Sequence, residues 1–302
     1  MNEPELIEKL RRRVGLSRAA GLVLGIGDDC AIVRPRGASE DWLYTTDMLI
    51  EGSHFLRQTH GAADVGWKAL GRGLSDIAAM GGEARFCLLS LAVADWVDAR
   101  WLDGFYGGLL GLAGGAGVTL IGGDLARTER VMCDIVVAGT VPRGKALRRD
   151  GARPGDGIYV SGTLGGSALG LAAGRGKAWL RHKRPQPRLA LGRFLRARLG
   201  ATAAMDLSDG LSLDLYRLCM ASQLRAEIST PPVYGGATLE QALHGGEDYE
   251  LLFTAPPRAR VPASFQGLAL TRIGTMRKGA PGVVEMDGQP LPPLGYDHLR
   301  TL

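Results

Sequence analysis

The chain has none of the usual loops by which proteins grip a phosphate. Gly176-Lys177 is followed by Ala178 and position 171 is Leu, so no GxxxxGK[ST] loop exists, and no GxGxxG follows a strand-like run. Cysteine is scarce: Cys30, Cys87, Cys133 and Cys219 stand far apart, each in an apolar run. Without CxxC or Cys/His spacing they read as buried free thiols, not as a zinc site or redox pair. Only six of the 36 basic residues are lysine, and the arginines are scattered apart from clusters at 11–13 and 181–184. With no nucleic-acid motif beside them, the net charge of +5 reads as solvated surface with some pull on anionic substrates. Apolar runs long enough to cross a bilayer are also missing. The opening MNEPELIEKLRRR is charged, so no signal peptide is expected and the cytoplasm is the expected location.

What is present is ordinary globular material. The 302 residues are 45% apolar and 22% charged, enough for two domains or one large one with a well-buried core. Apolar spacing predicts helices over 5–14, 63–80, 101–112, 185–199 and 210–221, and another entered from the turn at 162–166. Strands are expected over 30–34, 42–49, 86–94, 118–121, 131–141, 157–161, 203–205, 249–254, 268–273 and 283–286. The second of these is expected to end in a Thr45-Thr46-Asp47 turn, and the fourth to lead into Gly122-Gly123-Asp124. Residues 142–156 are basic and turn-rich, ending in Arg153-Pro154-Gly155-Asp156, so a domain boundary is expected after 142.

The most informative stretch is LGIGDDCAIV, residues 24–33. Two adjacent carboxylates, Asp28 and Asp29, lie between flexible glycines and an apolar run. The same grammar recurs at Thr45-Thr46-Asp47, Leu74-Ser75-Asp76, Gly122-Gly123-Asp124 and Asp206-Leu207-Ser208-Asp209. Aspartates in such small or apolar surroundings are most simply explained if they converge on divalent cations. Hard oxygen ligands select magnesium, which binds a few carboxylates together with substrate phosphates.

Most of these aspartates also have a plainer explanation. Asp28-Asp29 suits a turn whose side chains bond nearby backbone N–H groups. Asp47 could simply end a strand, and Asp124 could sit in a turn. Asp76 follows Arg72 by four residues, the spacing of an exposed helix ion pair, although it lies near a helix C-terminus, where the macrodipole disfavours an anion. Ser208 or Asp209 could be an N-cap. The glycines of 162–166 suit a tight turn or an anion-holding loop at a helix N-terminus. Lys68, Arg72 and Asp76 share the helix face opposite the apolar one.

GIGDDCA, TTDMLIEGSHF, KALGRGLSDIAAMG, LIGGD, RRDGARPGD, DLSDGLSLDL, GGEDYELLF and GYDH follow one another in this order. Together they resemble the thiamine-monophosphate kinase family, from the superfamily that also holds aminoimidazole ribonucleotide synthetase and selenophosphate synthetase. The likeness runs from Gly25 to His298. The acidic motifs are shared across the superfamily, whereas SHF, GGEDYEL and GYDH favour the kinase.

The resemblance implies an α+β fold of two mixed α/β-sandwich domains, 1–142 and 143–302, the first pairing about a two-fold axis into the β-barrel of a homodimer. It implies ATP as co-substrate and several magnesium ions, with metal ligands at Asp29, Thr45, Thr46, Asp47, Asp76, Asp124, Asp206 and Asp209. Of these, Asp47, Asp124 and Asp209 are implied as catalytic. Nucleotide contacts map to Gly123, Asp124, Arg149, Ser208 and Tyr106, and substrate contacts to His54, Glu247 and Tyr296. Asp28 and Asp248 map to supporting positions. The implied reaction is in-line phosphoryl transfer from ATP to thiamine monophosphate, which asks for positioning and charge neutralisation. Neither nucleic acid nor a membrane is an expected partner. A cyclo-ligase of the same superfamily and a non-catalytic magnesium-nucleotide sensor remain open as alternatives. Residues 174–187 and 230–239 carry no site assignment.

Overall fold

A computed structural model describes residues 3–14 and 19–296; Asp297 and His298, the end of GYDH, lie outside them. The first half contains α1 (Glu3–Val14), β1 (Leu22–Leu24), β2 (Ala31–Val33), β3 (Glu40–Ile50), α2 (Ala62–Ala79), β4 (Glu83–Val93), α3 (Ala99–Ala116), β5 (Thr119–Arg127) and β6 (Met132–Pro142). Its strands form one sheet in the order β1-β2-β3-β6-β4-β5, open at both edges. The second half contains β7 (Gly157–Ser161), α4 (Gly166–Ala173), α5 (Gly176–Lys183), α6 (Leu189–Phe194), β8 (Ala203–Asp206), α7 (Leu211–Ser222), β9 (Arg225–Ile228), α8 (Leu239–His244), β10 (Leu251–Ala255), β11 (Ser264–Phe265), β12 (Leu268–Arg277), β13 (Val284–Met286) and β14 (Gln289–Pro290). Its sheet runs β14-β13-β9-β12-β7-β10-β8, with β11 added to β12.

The first sheet buries one face. Along β3, Asp41, Leu43 and Leu49 are buried while Tyr44, Thr46 and Met48 on the alternate positions are exposed. The inner face packs on α2, whose Val65, Leu70, Leu74 and Ile77 are fully buried. Behind α2 lies α3, and glycine sets that spacing. A Cβ on Gly66 would lie 1.9 Å from the Phe105 carbonyl oxygen, and one on Gly108 would lie 1.9 Å from that of Ala63. Any side chain there would force the helices apart. The outer face keeps a stack of Trp42 with Tyr44 and Phe86, and exposed Met48 and Leu88.

The two halves share a core. The cluster around Leu70, Leu74 and Ile77 continues through Leu189, Leu191 and Leu195 to Leu251 and Phe253. Trp67 Nε1 donates to the Pro185 carbonyl at 2.8 Å, fastening α2 to the second half. A second core, with Ile158, Val160, Leu215, Leu218 and Met276, lies within the C-terminal half.

Two strands run further than the sequence predicts. Thr45–Asp47 and Gly122–Asp124 are not turns: Asp47 pairs with Ile135 inside β3, and Asp124 with Ser90 inside β5. Local chemistry argued for turns, but ladder pairing with the neighbouring strand prevails. The sequence reading also passes over β1, β9, β11, β14, α5 and α8, short elements set by their tertiary partners.

Candidate active site

The site follows from an incomplete pairing. β2 covers β3 only at Trp42–Tyr44, so Thr45, Thr46 and Asp47 stand on a free sheet edge. There a cleft of about 380 Å³ opens between the two halves. It is walled by Asp28 and Asp29, by the α2 face carrying Arg72 and Asp76, by Arg149, and by the turns holding Asp206, Ser208, Asp209 and Glu247. His54 and Tyr296 line it too. Of the aspartates expected to hold metal, only Asp124 is not brought here.

Asp29, Asp76 and Asp206 each bring a carboxylate oxygen within 4.8 Å of the others. Burial, and next the charge of Asp206, pushes the Asp76 carboxyl well above the usual carboxylate range; burial, and next Asp29, does the same to Asp206. Asp29 and two neighbouring acids are clasped by arginines. Arg72 pairs with Asp47 at 2.6 Å, Arg149 with Asp29 at 2.5 Å, and Arg217 with Asp209. Asp76 and Asp206 receive hydroxyl donors instead, Thr45 Oγ1 at 2.5 Å and Ser75 Oγ at 2.6 Å. Three converging hard oxygen donors, of which Asp29 and Asp206 are buried and Asp76 and Asp206 have no arginine partner among the described residues, fit a divalent cation.

The plainer explanations meet mixed outcomes. Arg72 turns away from Asp76 to Asp47, so the exposed helix pair does not form. The N-cap reading of Ser208 or Asp209 is replaced: α7 starts after Gly210, and the Asp214 carboxylate accepts from the N–H groups of Asp209 and Gly210, each at 3.1 Å. Asp28 does act on backbone, accepting from Asp29 N–H at 3.0 Å and Arg149 N–H at 3.1 Å. Burial and the neighbouring Asp29 push its carboxyl up to about 7. The glycine loop before α4 is no open anion site. Asp248 accepts from Gly165 N–H at 2.6 Å and Ser167 N–H at 3.0 Å, so an internal carboxylate takes the donors.

At the other end, Glu247 (φ +54°) and Tyr249 (φ +49°) hold left-handed backbone that costs a side-chain-bearing residue about 1–3 kcal/mol. Bonds from Glu247 N–H to the Ser208 carbonyl (2.7 Å) and from Tyr249 N–H to that of Leu207 (3.0 Å) enforce it. His54 Nδ1 accepts from Ile50 N–H at 3.0 Å, which puts the ring proton on Nε2. Tyr296 is fixed through its backbone, its N–H donating to the Asp209 carbonyl at 3.1 Å. The close approach depends on Gly295, where a Cβ would lie 2.6 Å from the same oxygen. The Tyr296 ring and Leu171 remain exposed in an otherwise charged cleft.

Asp124, Gly123 and Tyr106 do not line the cleft. Register places Met48, Asp134, Ser90 and Asp124 in a row across the outer face of the sheet. Asp124 therefore sits on the face opposite Asp47. Tyr106 lies on α3, edge-on to Phe105. Sequence reasoning gave no role to Arg217, Tyr249, Leu171, Lys68 or Asp134. The one-turn spacing of Lys68, Arg72 and Asp76 was a usable signal for Lys68; Asp134, bonded by Thr46 Oγ1 at 2.6 Å, had none.

The fold and this acid-lined cleft define a class before they define a protein. Residues 27–141 match the family model described as AIR synthase related protein, N-terminal domain. At fold level alone, a hydrogenase maturation protein HypE in complex with ATP superposes with a TM-score of 0.67 at 19% identity, over 91% of this chain and 88% of that one. Thiamine-monophosphate kinase of Escherichia coli is 39% identical, over 99% of this chain and 98% of the relative. That of Bacillus subtilis is 31% identical over 99% of this chain and all of the relative. The solved structure of AaThiL complexed with AMPPCP and TMP superposes with a TM-score of 0.86 at 32% identity, over 99% of this chain and 97% of that one. The chain belongs to the thiamine-monophosphate kinase family.

Proposed function

We propose that the protein transfers the terminal phosphoryl group of ATP to thiamine monophosphate, giving ADP and thiamine diphosphate. One observation carries the reading: the convergence of Asp29, Asp76 and Asp206 on a point between the two halves of the chain. The full-length likeness to thiamine-monophosphate kinases, one solved with an ATP analogue and TMP, supports it. The acceptor oxygen belongs to a phosphate already ionised near neutral pH, so no strong general base is required. The work is to bring two anions in line.

Magnesium ions would be held by Asp29, Asp76 and Asp206, with Asp47, Asp209 and the hydroxyls of Thr45 and Thr46 around them, and would supply neutralisation of phosphate charge. Arg149 and Ser208 face the nucleotide. Glu247 and the Nε2–H of His54 face the acceptor, and Tyr296 offers its ring to the flat cationic thiazolium. Residues 1–142 and 143–302 act as two domains closing on the substrates.

The outer face of the first sheet covers a second copy's, completing a barrel and hiding Trp42, Phe86 and Leu88. In that homodimer Gly123, Asp124 and Tyr106 serve the partner's cleft, reaching the free β3 edge from outside. Cytoplasmic location fits the same reading; among the described residues no helix is long and apolar enough to cross a membrane. Phosphorus NMR of the protein with magnesium, ATP and thiamine monophosphate tests the reaction. New diphosphate resonances are expected, and their absence would refute it.

A further inference from the structure

The α2 face that carries Arg72 and Asp76 begins one turn earlier with Lys68, whose side chain is wholly out of solvent. Its Nζ lies 2.9 Å from Glu247 Oε1, 3.0 Å from Oε2, 3.1 Å from the His54 carbonyl oxygen and 3.5 Å from His182 Nε2. An ammonium has three hydrogens and no lone pair, and these three partners account for them. Because Nζ can only donate, Nε2 of His182 presents its lone pair and the ring proton sits on Nδ1. From there it faces Ser167 Oγ at 2.9 Å and Glu247 Oε2 at 3.3 Å. Burial, and next Lys68, hold the His182 pKa at about 4, so the ring is neutral. His182 lies on α5, in a stretch to which the sequence assigned nothing.

A buried ammonium is costly, and a thioether of similar length would fill the same space more cheaply. The Glu247 side chain, however, remains 26% exposed and lines the cleft on left-handed backbone. The cation is spent on a group that is not sealed away. We infer that Lys68 and His182 are positioning residues for the phosphoryl acceptor: they hold Glu247 ionised in one orientation, and Lys68 ties the backbone of His54 to the same point. The inference rests on the reading of Glu247 and His54 as acceptor contacts. It adds two groups that touch no substrate but fix those that do.

Nitrogen-15 histidine spectra and steady-state kinetics of wild type, Lys68→Met and His182→Gln test it. In wild type the resonances lost in His182→Gln are expected to show a protonated Nδ1 and a bare Nε2. Both variants should raise KM for thiamine monophosphate about ten-fold or more, as loss of a charged hydrogen bond does, with KM for ATP within about two-fold. An Nε2–H tautomer in wild type, or equal rises in both KM values, would overturn the assignment. Should Lys68→Met fail to fold, His182→Gln decides, and an unchanged acceptor KM refutes the role. A wild type that binds ATP but forms no diphosphate overturns the reaction and the positioning role with it; the tautomer spectrum still reports the geometry separately.

Discussion

Arg72 reaches across the cleft floor to Asp47, 2.6 Å away, and not along its own helix to Asp76. The guanidinium also donates to the Met48 carbonyl at 2.8 Å, so it is held by two points of β3. Asp47→Asn keeps the volume but removes the charge opposite a largely buried cation. Turnover should fall about a hundredfold or more, and stability by about 1–3 kcal/mol. Urea unfolding and activity at saturating magnesium check both; near-normal turnover would sink the assignment of Asp47.

Among the described aspartates that line the cleft, Asp76 and Asp206 are the two that no arginine clasps. Magnesium should therefore raise the melting temperature of wild type, while Asp76→Asn and Asp206→Asn should lose most of that response. Both variants should be at least as stable as wild type without magnesium, since each removes a repelled buried charge. Scanning calorimetry with and without a chelator measures this. A full magnesium response in both variants would remove the proposed ion from this point.

Much of this was legible because motif chemistry is local. Asp28, Asp29, Asp47, Asp76, Asp206 and Asp209 each announce themselves by small neighbours, and all reach the cleft. What was not legible depends on ladders and partners. Glycines at 122 and 123 look like a turn, yet pairing with β4 extends the strand through them and puts Asp124 on the outer face. Asp248 and Asp214 give no local sign that they would take the helix-start amides of α4 and α7. The basic α5 sequence looked like surface, while His182 within it is 3% exposed.

The two buried histidines set an acid limit. Burial, and next Lys68, lower His60 and His182 from 6.5 to about 4. Between those values the unfolded chain holds protons that the folded chain refuses, so this stabilisation is complete above about pH 6.5 and is lost as pH falls toward about 4. Urea midpoints should therefore drop less steeply with acid in His182→Gln than in wild type. Identical slopes would argue against a neutral buried ring.

Tyr296 offers a half-exposed ring on a backbone held to Asp209. Tyr296→Ala should weaken thiamine monophosphate binding by about 0.5–2 kcal/mol and leave ATP affinity nearly unchanged. Calorimetric titration of each ligand separates the two. Equal losses would mean that the tail anchors the fold and nothing more.

Asp124 lies on the face opposite Asp47, so a dimer makes a complementation test possible. Asp47→Asn and Asp124→Asn should each be inactive alone. Mixed after dissociation, they should recover up to about a quarter of wild-type activity, since half the dimers carry one intact composite site. No recovery in verified heterodimers would place Asp124 in its own subunit's chemistry or outside it altogether.

The three arginine clasps give the cleft the character of an ion exchanger whose counter-ions are tethered. A cation arriving at Asp29 competes with Arg149, and its measured affinity is the difference between two ion pairs, not the strength of one. The displaced guanidinium is then available to a phosphate in the same space. Metal and nucleotide binding would accordingly each strengthen the other by the same factor, as linkage requires.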